Sequence, residues 1–126
     1  MAKIKILVVD DEEALTRMLK LNLEAMGSYE VCIENRGTHA LEAARNFKPD
    51  LILLDIVMPD LEGSEVAQQV KEEPQLKNTP IVFLTATVTN EEISPMGGRV
   101  GGQPFLAKPV TVQALIDCIE RNLKKS

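Results

Sequence analysis

The sequence predicts an α/β fold, a five-stranded parallel sheet with helices on both faces. Three observations carry this. The apolar runs Ile4–Val9 (broken only by Lys5), Leu51–Leu54 and Ile81–Leu84 are short and nearly continuous. Such runs suit strands buried on both faces rather than helices or half-exposed strands. Amphipathic helical patterns lie between them, and alternation of this kind calls for crossover connections in a parallel sheet.

Ile4–Val9 is the first strand. From Glu12 to Met26 an apolar stripe of Leu15, Met18, Leu19, Leu21 and Met26 predicts a helix that stops at Gly27. Tyr29-Glu30-Val31-Cys32-Ile33-Glu34 alternates, which suits a strand at a sheet edge with one wetter face. Thr38 to Phe47 predicts an alanine-rich helix closed by Pro49, and Ser64 to Glu73 a third helix closed by Pro74. Phe105-Leu106-Ala107 is the fifth strand, and Pro104 before it lacks a donor for a ladder, so it too is expected at an edge. Thr111 to Lys125 is the last helix, with Val112, Leu115, Ile116, Ile119 and Leu123 on one side and Lys124 and Lys125 at its C-terminal end.

The fourth connection departs from this regularity. Thr89-Asn90-Glu91-Glu92 has the form of a capping box, yet Pro95, Gly97, Gly98, Gly101 and Gly102 come soon after it. Interior glycines cost about 1 kcal/mol each against alanine, so a short, loosely held helix is expected here. Ser94-Pro95 could also open a single late turn.

Composition narrows the function. The 126 residues suit one domain over 1–126, and 44% hydrophobic with 26% charged residues suits a globular chain. The opening Met1-Ala2-Lys3-Ile4 lacks a secretory apolar stretch, and no run approaches the ~20 residues of a membrane span. A cytoplasmic protein without membrane contact is expected. Cys32 and Cys118 are too few for a disulfide scaffold and read as packing residues. A net charge of −5 argues against direct nucleic-acid binding.

In open α/β sheets, ligands bind beyond the carboxyl ends of the strands. The first strand leads into Asp10-Asp11, the third into Asp55, the fourth into Thr85 and the fifth into Lys108. Clustered carboxylates need an offsetting charge, and Mg²⁺ prefers oxygen ligands with one or two carboxylates. A metal, an amine and a hydroxyl around an aspartate are the parts that phosphoryl transfer needs, and aspartate can itself be the nucleophile. Alone, each residue has a plainer reading: an acidic run is a solvated helix start, Lys108 a surface lysine, Thr85 a strand-end hydroxyl. Glu12 and Glu13 are expected to be only that helix start, and His39 a surface residue. The set makes the case.

These residues carry a resemblance. Val8-Val9-Asp10-Asp11-Glu12, Asp55-Ile56-Val57-Met58-Pro59 leading to Gly63, Leu84-Thr85-Ala86 and Phe105-Leu106-Ala107-Lys108-Pro109 stand in the order and spacing of response-regulator receiver domains of two-component signalling. The resemblance implies a doubly wound, flavodoxin-like sheet of order 2-1-3-4-5. It implies Asp55 as phosphoacceptor, Asp11 and Asp55 as direct Mg²⁺ ligands, Asp10 acting through water, and the Val57 carbonyl as a further ligand. Thr85 and Lys108 would hold phosphoryl oxygens, and Lys108–Pro109 would be cis. Phe105 matches an aromatic that swings between exposed and buried positions; without a hydroxyl, its swing would depend on packing. The phosphodonor would be a histidine kinase or phosphotransfer protein. Since a receiver fills nearly all 126 residues, output is expected through contact with a downstream partner. The last two strands and the helices after them form the family's homodimer face, which the Pro95–Pro104 stretch alters.

Two other readings compete. An aspartate-nucleophile phosphatase of the haloacid-dehalogenase type would carry a second acid two residues after the nucleophile, where Val57 stands. A pseudo-receiver would signal without phosphorylation, against which all five site residues are intact.

Overall fold

A computed structural model describes residues 3–85, 99–100 and 103–124. The elements in chain order are β1 (Ile4–Val9), α1 (Glu13–Ala25), β2 (Tyr29–Glu34), a 3-10 turn (Gly37–His39), α2 (Ala40–Phe47), β3 (Leu51–Asp55), α3 (Gly63–Glu72), β4 (Ile81–Thr85), β5 (Arg99–Val100), β6 (Gln103–Ala107) and α4 (Val112–Lys124). The expected capping box Thr89–Glu92 and the Ser94-Pro95 turn lie outside the described residues.

The sheet order is β2-β1-β3-β4-β6-β5. Its five long strands are parallel and adopt the expected order 2-1-3-4-5. The sixth, Arg99–Val100, is an addition to the expected set. It pairs antiparallel with β6, setting Arg99 opposite Pro104 and Val100 opposite Gln103. The fifth parallel strand is therefore flanked on both sides, a correction to its expected edge position. Gly101-Gly102 between paired residues is a two-residue hairpin signal, which the neighbouring glycines and prolines obscure.

Period-two alternation splits each apolar run between two cores. Ile6, Val8, Leu51, Leu53, Val82 and Leu84 face one way, onto Leu19 and Leu23 of α1 and Leu115, Cys118 and Ile119 of α4. Leu7, Val9, Ile52, Leu54, Ile81 and Phe83 face the other, onto Ala40 and Ala44 of α2 and Val66, Ala67 and Val70 of α3. Burying each large aliphatic side chain contributes about 1.5–3 kcal/mol, so both sheet faces are firmly held. At the edge, Tyr29 and Val31 of β2 are buried while Glu30 is exposed, as its alternation requires.

Helix ends obey local chemistry. α1 closes where the Gly27 N–H donates to the Glu24 carbonyl at 3.0 Å. Gly27 sits at φ 82° there, a conformation glycine adopts without a Cβ clash. α2 ends at Lys48, also left-handed, just before Pro49. At α4 the Thr111 hydroxyl oxygen accepts the Ala114 N–H at 3.1 Å. α3 begins one residue earlier than expected, at Gly63, whose N–H donates to the Ile56 carbonyl at 2.8 Å.

Gly63 brings the start of α3 hard against the end of β3. A Cβ on it would run into the backbone carbonyl oxygen of Asp55 and lie 2.8 Å from the Cα of Ile56. Rigid backbone stands there, so the strand end carrying Asp55 would have to move. Gly63→Ala should therefore lower unfolding free energy by about 1–3 kcal/mol, as overpacked sites do, measured by urea denaturation. Unchanged stability would show that the loop shifts freely.

Candidate functional site

Strand register assembles the site. Val9 lies opposite Leu54, so Asp10 and Asp55 are the next residues out on adjacent strands. Both share the parity of the face that α1 and α4 cover. Asp55 lies opposite Leu84, and Thr85 opposite Ala107, which brings Lys108 to the same rim. The Lys108 N–H donates to the Thr85 carbonyl at 2.9 Å, continuing the ladder one step past β6. The Lys108–Pro109 bond is cis, as the resemblance implied.

Asp10, Asp55 and Thr85 are buried, whereas Asp11 is exposed. Asp10, Asp11 and Asp55 each present a carboxylate oxygen within 4.8 Å of the others. Asp10 is the most committed. Its Oδ1 accepts the Glu12 N–H at 2.9 Å, and the Asn35 amide donates to its backbone carbonyl at 2.7 Å. Its Oδ2 receives no well-directed hydrogen bond but lies 2.8 Å from the Lys108 ammonium. Asp55 Oδ1 accepts the Val57 N–H at 3.3 Å and lies 3.7 Å from Lys108 Nζ.

Lys108 also donates to Glu12 Oε1 at 2.7 Å. This corrects the expectation that Glu12 is only a solvated helix start: it is exposed, yet its carboxylate holds Lys108 at the rim of the site. Sequence reasoning also misses Asn35, which donates to Thr16 Oγ1 at 3.0 Å and so ties β2 to α1 beneath Asp10. It misses Asp60 too, whose carboxylate accepts the Gly37 and Thr38 N–H groups at 3.2 and 3.1 Å. Asp60 links the loop after β3 to the turn before α2. No spacing rule marks either residue.

His39 and the two cysteines are placed as expected. His39 is exposed, with Nδ1 3.7 Å from Glu34 Oε1. Cys118 is buried and Cys32 half-buried, both unpaired, and burial pushes both thiols upward. Val57 is 60% exposed at the mouth of the site, and Phe105 is half-buried beside the core on the α2–α3 face.

Burial above all, then the neighbouring Asp10 charge, raises the Asp55 carboxyl to about 7, although Lys108 and the Val57 N–H oppose the rise. Burial works against the Lys108 ammonium, but its close charged contacts with Asp10 and Glu12 outweigh that and hold it above its ordinary value. An acid raised on folding stabilises the fold at low pH and loses that contribution as pH rises through the folded value. In chelator, stability should therefore fall from about pH 4, where the unfolded carboxyl titrates, to about pH 7, where the folded one does, and level off above that. Asp55→Asn should remove this slope and be more stable than the parent at pH 8 by about 2 kcal/mol. Equal urea midpoints for the two proteins at pH 8 would contradict the assignment.

Comparison with known proteins agrees with this architecture. Residues 6–120 match the response regulator receiver domain family. The chain is 37% identical, over 97% of its length, to the alkaline phosphatase synthesis transcriptional regulatory protein PhoP of Bacillus subtilis, of which it covers 49%. It is 32% identical to the polar-differentiation response regulator DivK of Brucella anthropi, covering 94% of each chain. The chain thus spans about half the length of some curated relatives and nearly all of another. The solved chemotaxis protein CheY4 of Vibrio cholerae superposes with a TM-score of 0.83 at 33% identity, covering 96% of this chain and 99% of that one. Among the described residues no helix is long and apolar enough to cross a membrane. Sheet order, the acids at the strand ends and these likenesses all lead to one family: the chain belongs to the response regulator receiver domains, phosphorylation-dependent signalling modules of two-component systems rather than enzymes in the ordinary sense.

Proposed function

We propose that Asp55 accepts a phosphoryl group from the phosphohistidine of a histidine kinase or phosphotransfer protein, and that the new charge switches a surface read by a downstream protein. The observation that carries this is a buried Asp55 with two further carboxylates within 4.8 Å and one ammonium at 3.7 Å, at the sheet edge where ligands bind. A carboxylate oxygen of Asp55 attacks phosphorus as the bond from phosphorus to the imidazole nitrogen breaks. The imidazole nitrogen keeps the electron pair of the broken bond, and the ring leaves as neutral imidazole because its other nitrogen carries a proton.

The donor set fits Mg²⁺: three carboxylates face a single ammonium, and all the donors are hard oxygens. Asp11, Asp55 and the Val57 carbonyl would hold it directly, and Asp10, already bonded to the Glu12 N–H and paired with Lys108, would act through water. Bound there, the cation would neutralise charge on the transferring oxygens. The Thr85 hydroxyl donates to one phosphoryl oxygen and the Lys108 ammonium pairs with another. A phosphoryl group adds a charge of about −1.5 to −2. Drawing Thr85 and Lys108 toward it pulls on the ends of β4 and β6. Phe105, opposite Phe83 on β4, lies on the path of that pull and alternates between two packings.

On this reading residues 1–126 form one receiver domain acting in the cytoplasm, through protein contacts rather than nucleic acid. The face of β4, β6 and α4 is available to a second copy. Intrinsic self-phosphorylation from small donors and self-dephosphorylation are its only chemistry. The phosphatase alternative lacks its second acid, since Val57 holds that position with no proton to give.

Incubation with acetyl phosphate and Mg²⁺ should add one increment of about 80 Da to the intact mass, and Asp55→Ala should abolish it. No adduct, or one that survives in Asp55→Ala, overturns the proposal. Exposed Val57 has no polar group to orient an attacking water. The acyl phosphate should accordingly decay faster in Val57→Asn, monitored as loss of the adduct with time; equal decay would remove that role for the residue.

A further inference from the structure

The ammonium of Lys108 is shared unequally. Its well-directed hydrogen bond goes to Glu12 Oε1 at 2.7 Å, across 96 positions of sequence. Asp10 Oδ2, at 2.8 Å, receives only an ion-pair contact without hydrogen-bond alignment. Asp55, the proposed acceptor, is at 3.7 Å, beyond hydrogen-bond reach. Glu12 is 59% exposed, so the contact draws Nζ toward the rim of the site rather than into it. Glu12 and Lys108 also share the wall of an open groove with Leu15, Met18, Pro109 and Val110, so their contact is made at the surface.

We propose that Glu12 is a positioning residue that parks Lys108 in the unphosphorylated protein. Pairing Lys108 with a phosphoryl oxygen then requires giving up the Glu12 bond. The energy of that bond is set against phosphorylation, so the exposed carboxylate limits the stability of the phosphorylated state. This rests on the proposed role of Asp55 and Lys108, and adds that a residue outside the buried site sets how readily Lys108 is released.

The test uses beryllofluoride as a phosphoryl mimic at saturating Mg²⁺, its affinity measured by titration calorimetry. Glu12→Gln should bind about two- to fivefold more tightly than the parent, the range an exposed ion pair supports. Glu12→Asp keeps the charge but shortens the reach, so it should resemble Glu12→Gln. In a Lys108→Met background, Glu12→Gln should change nothing. Three results overturn the proposal: no gain in Glu12→Gln, parental affinity in Glu12→Asp (general charge alone), or a gain that persists without Lys108. A parent protein that binds the mimic but ignores Glu12 sinks only the parking role, whereas one that cannot bind it sinks the phosphoacceptor reading as well.

Discussion

One ammonium group must serve more carboxylates than it can satisfy. Lys108 Nζ contacts Asp10, Glu12 and Asp55 at 2.8, 2.7 and 3.7 Å, and Asp11 stands beside them. Two of these acids are buried, where like charges repel more strongly than in water. An isolated protein would relieve this by replacing an acid, since an apolar substitute is often more stable than a buried ion pair. Keeping the acids makes the folded state responsive to protons and leaves a site that suits a divalent cation, both of which are favoured where negative charge is in excess.

Such imbalance can persist only on a stiff support. Asp10, Asp55 and Thr85 each end or extend a strand buried in the sheet interior, with β1 and β3 fully buried from Ile6 to Val9 and from Leu51 to Asp55. Both cores resist relaxation because close-packed interiors transmit strain rather than absorb it. Gly63 tightens the arrangement, since its missing side chain lets α3 start directly against the backbone of Asp55. Moving the acids apart would disturb both cores. The member of the site with the longest rotatable stem is Lys108.

The parallel order and both cores are legible in the sequence because continuous apolar runs leave few alternatives, and the site is legible because strand exits in a parallel sheet share one edge. Leu51–Asp55 shows both at once: four apolar residues and then an acid. Contacts between exposed side chains are not legible. Glu12 and Glu13 are adjacent acids of one helix start, and only tertiary geometry makes one of them a partner of Lys108 while the other stays in solvent. Asn35 and Asp60 join segments by hydrogen bonds whose partners lie 19 to 25 positions away, so no local pattern announces them. β5 is hidden for another reason. Gly97, Gly98, Gly101 and Gly102 together have the look of helix breakers, although the sequence Gly101-Gly102, taken alone, is a two-residue hairpin signal.

Glu12 also changes the meaning of the net charge of −5. If the acids near Asp55 served only to bind a cation, each added carboxylate would favour phosphorylation by strengthening that binding. Glu12 works in the opposite sense, because it holds the cation that the protein itself supplies. The two effects differ in range. Attraction for a divalent ion depends on charge at several ångströms and is nearly the same for aspartate and glutamate, whereas the hold on Lys108 depends on reach. On the proposed role of Glu12, the length of one exposed side chain sets how readily Lys108 is released, while the buried acids and the two cores beneath them stay untouched.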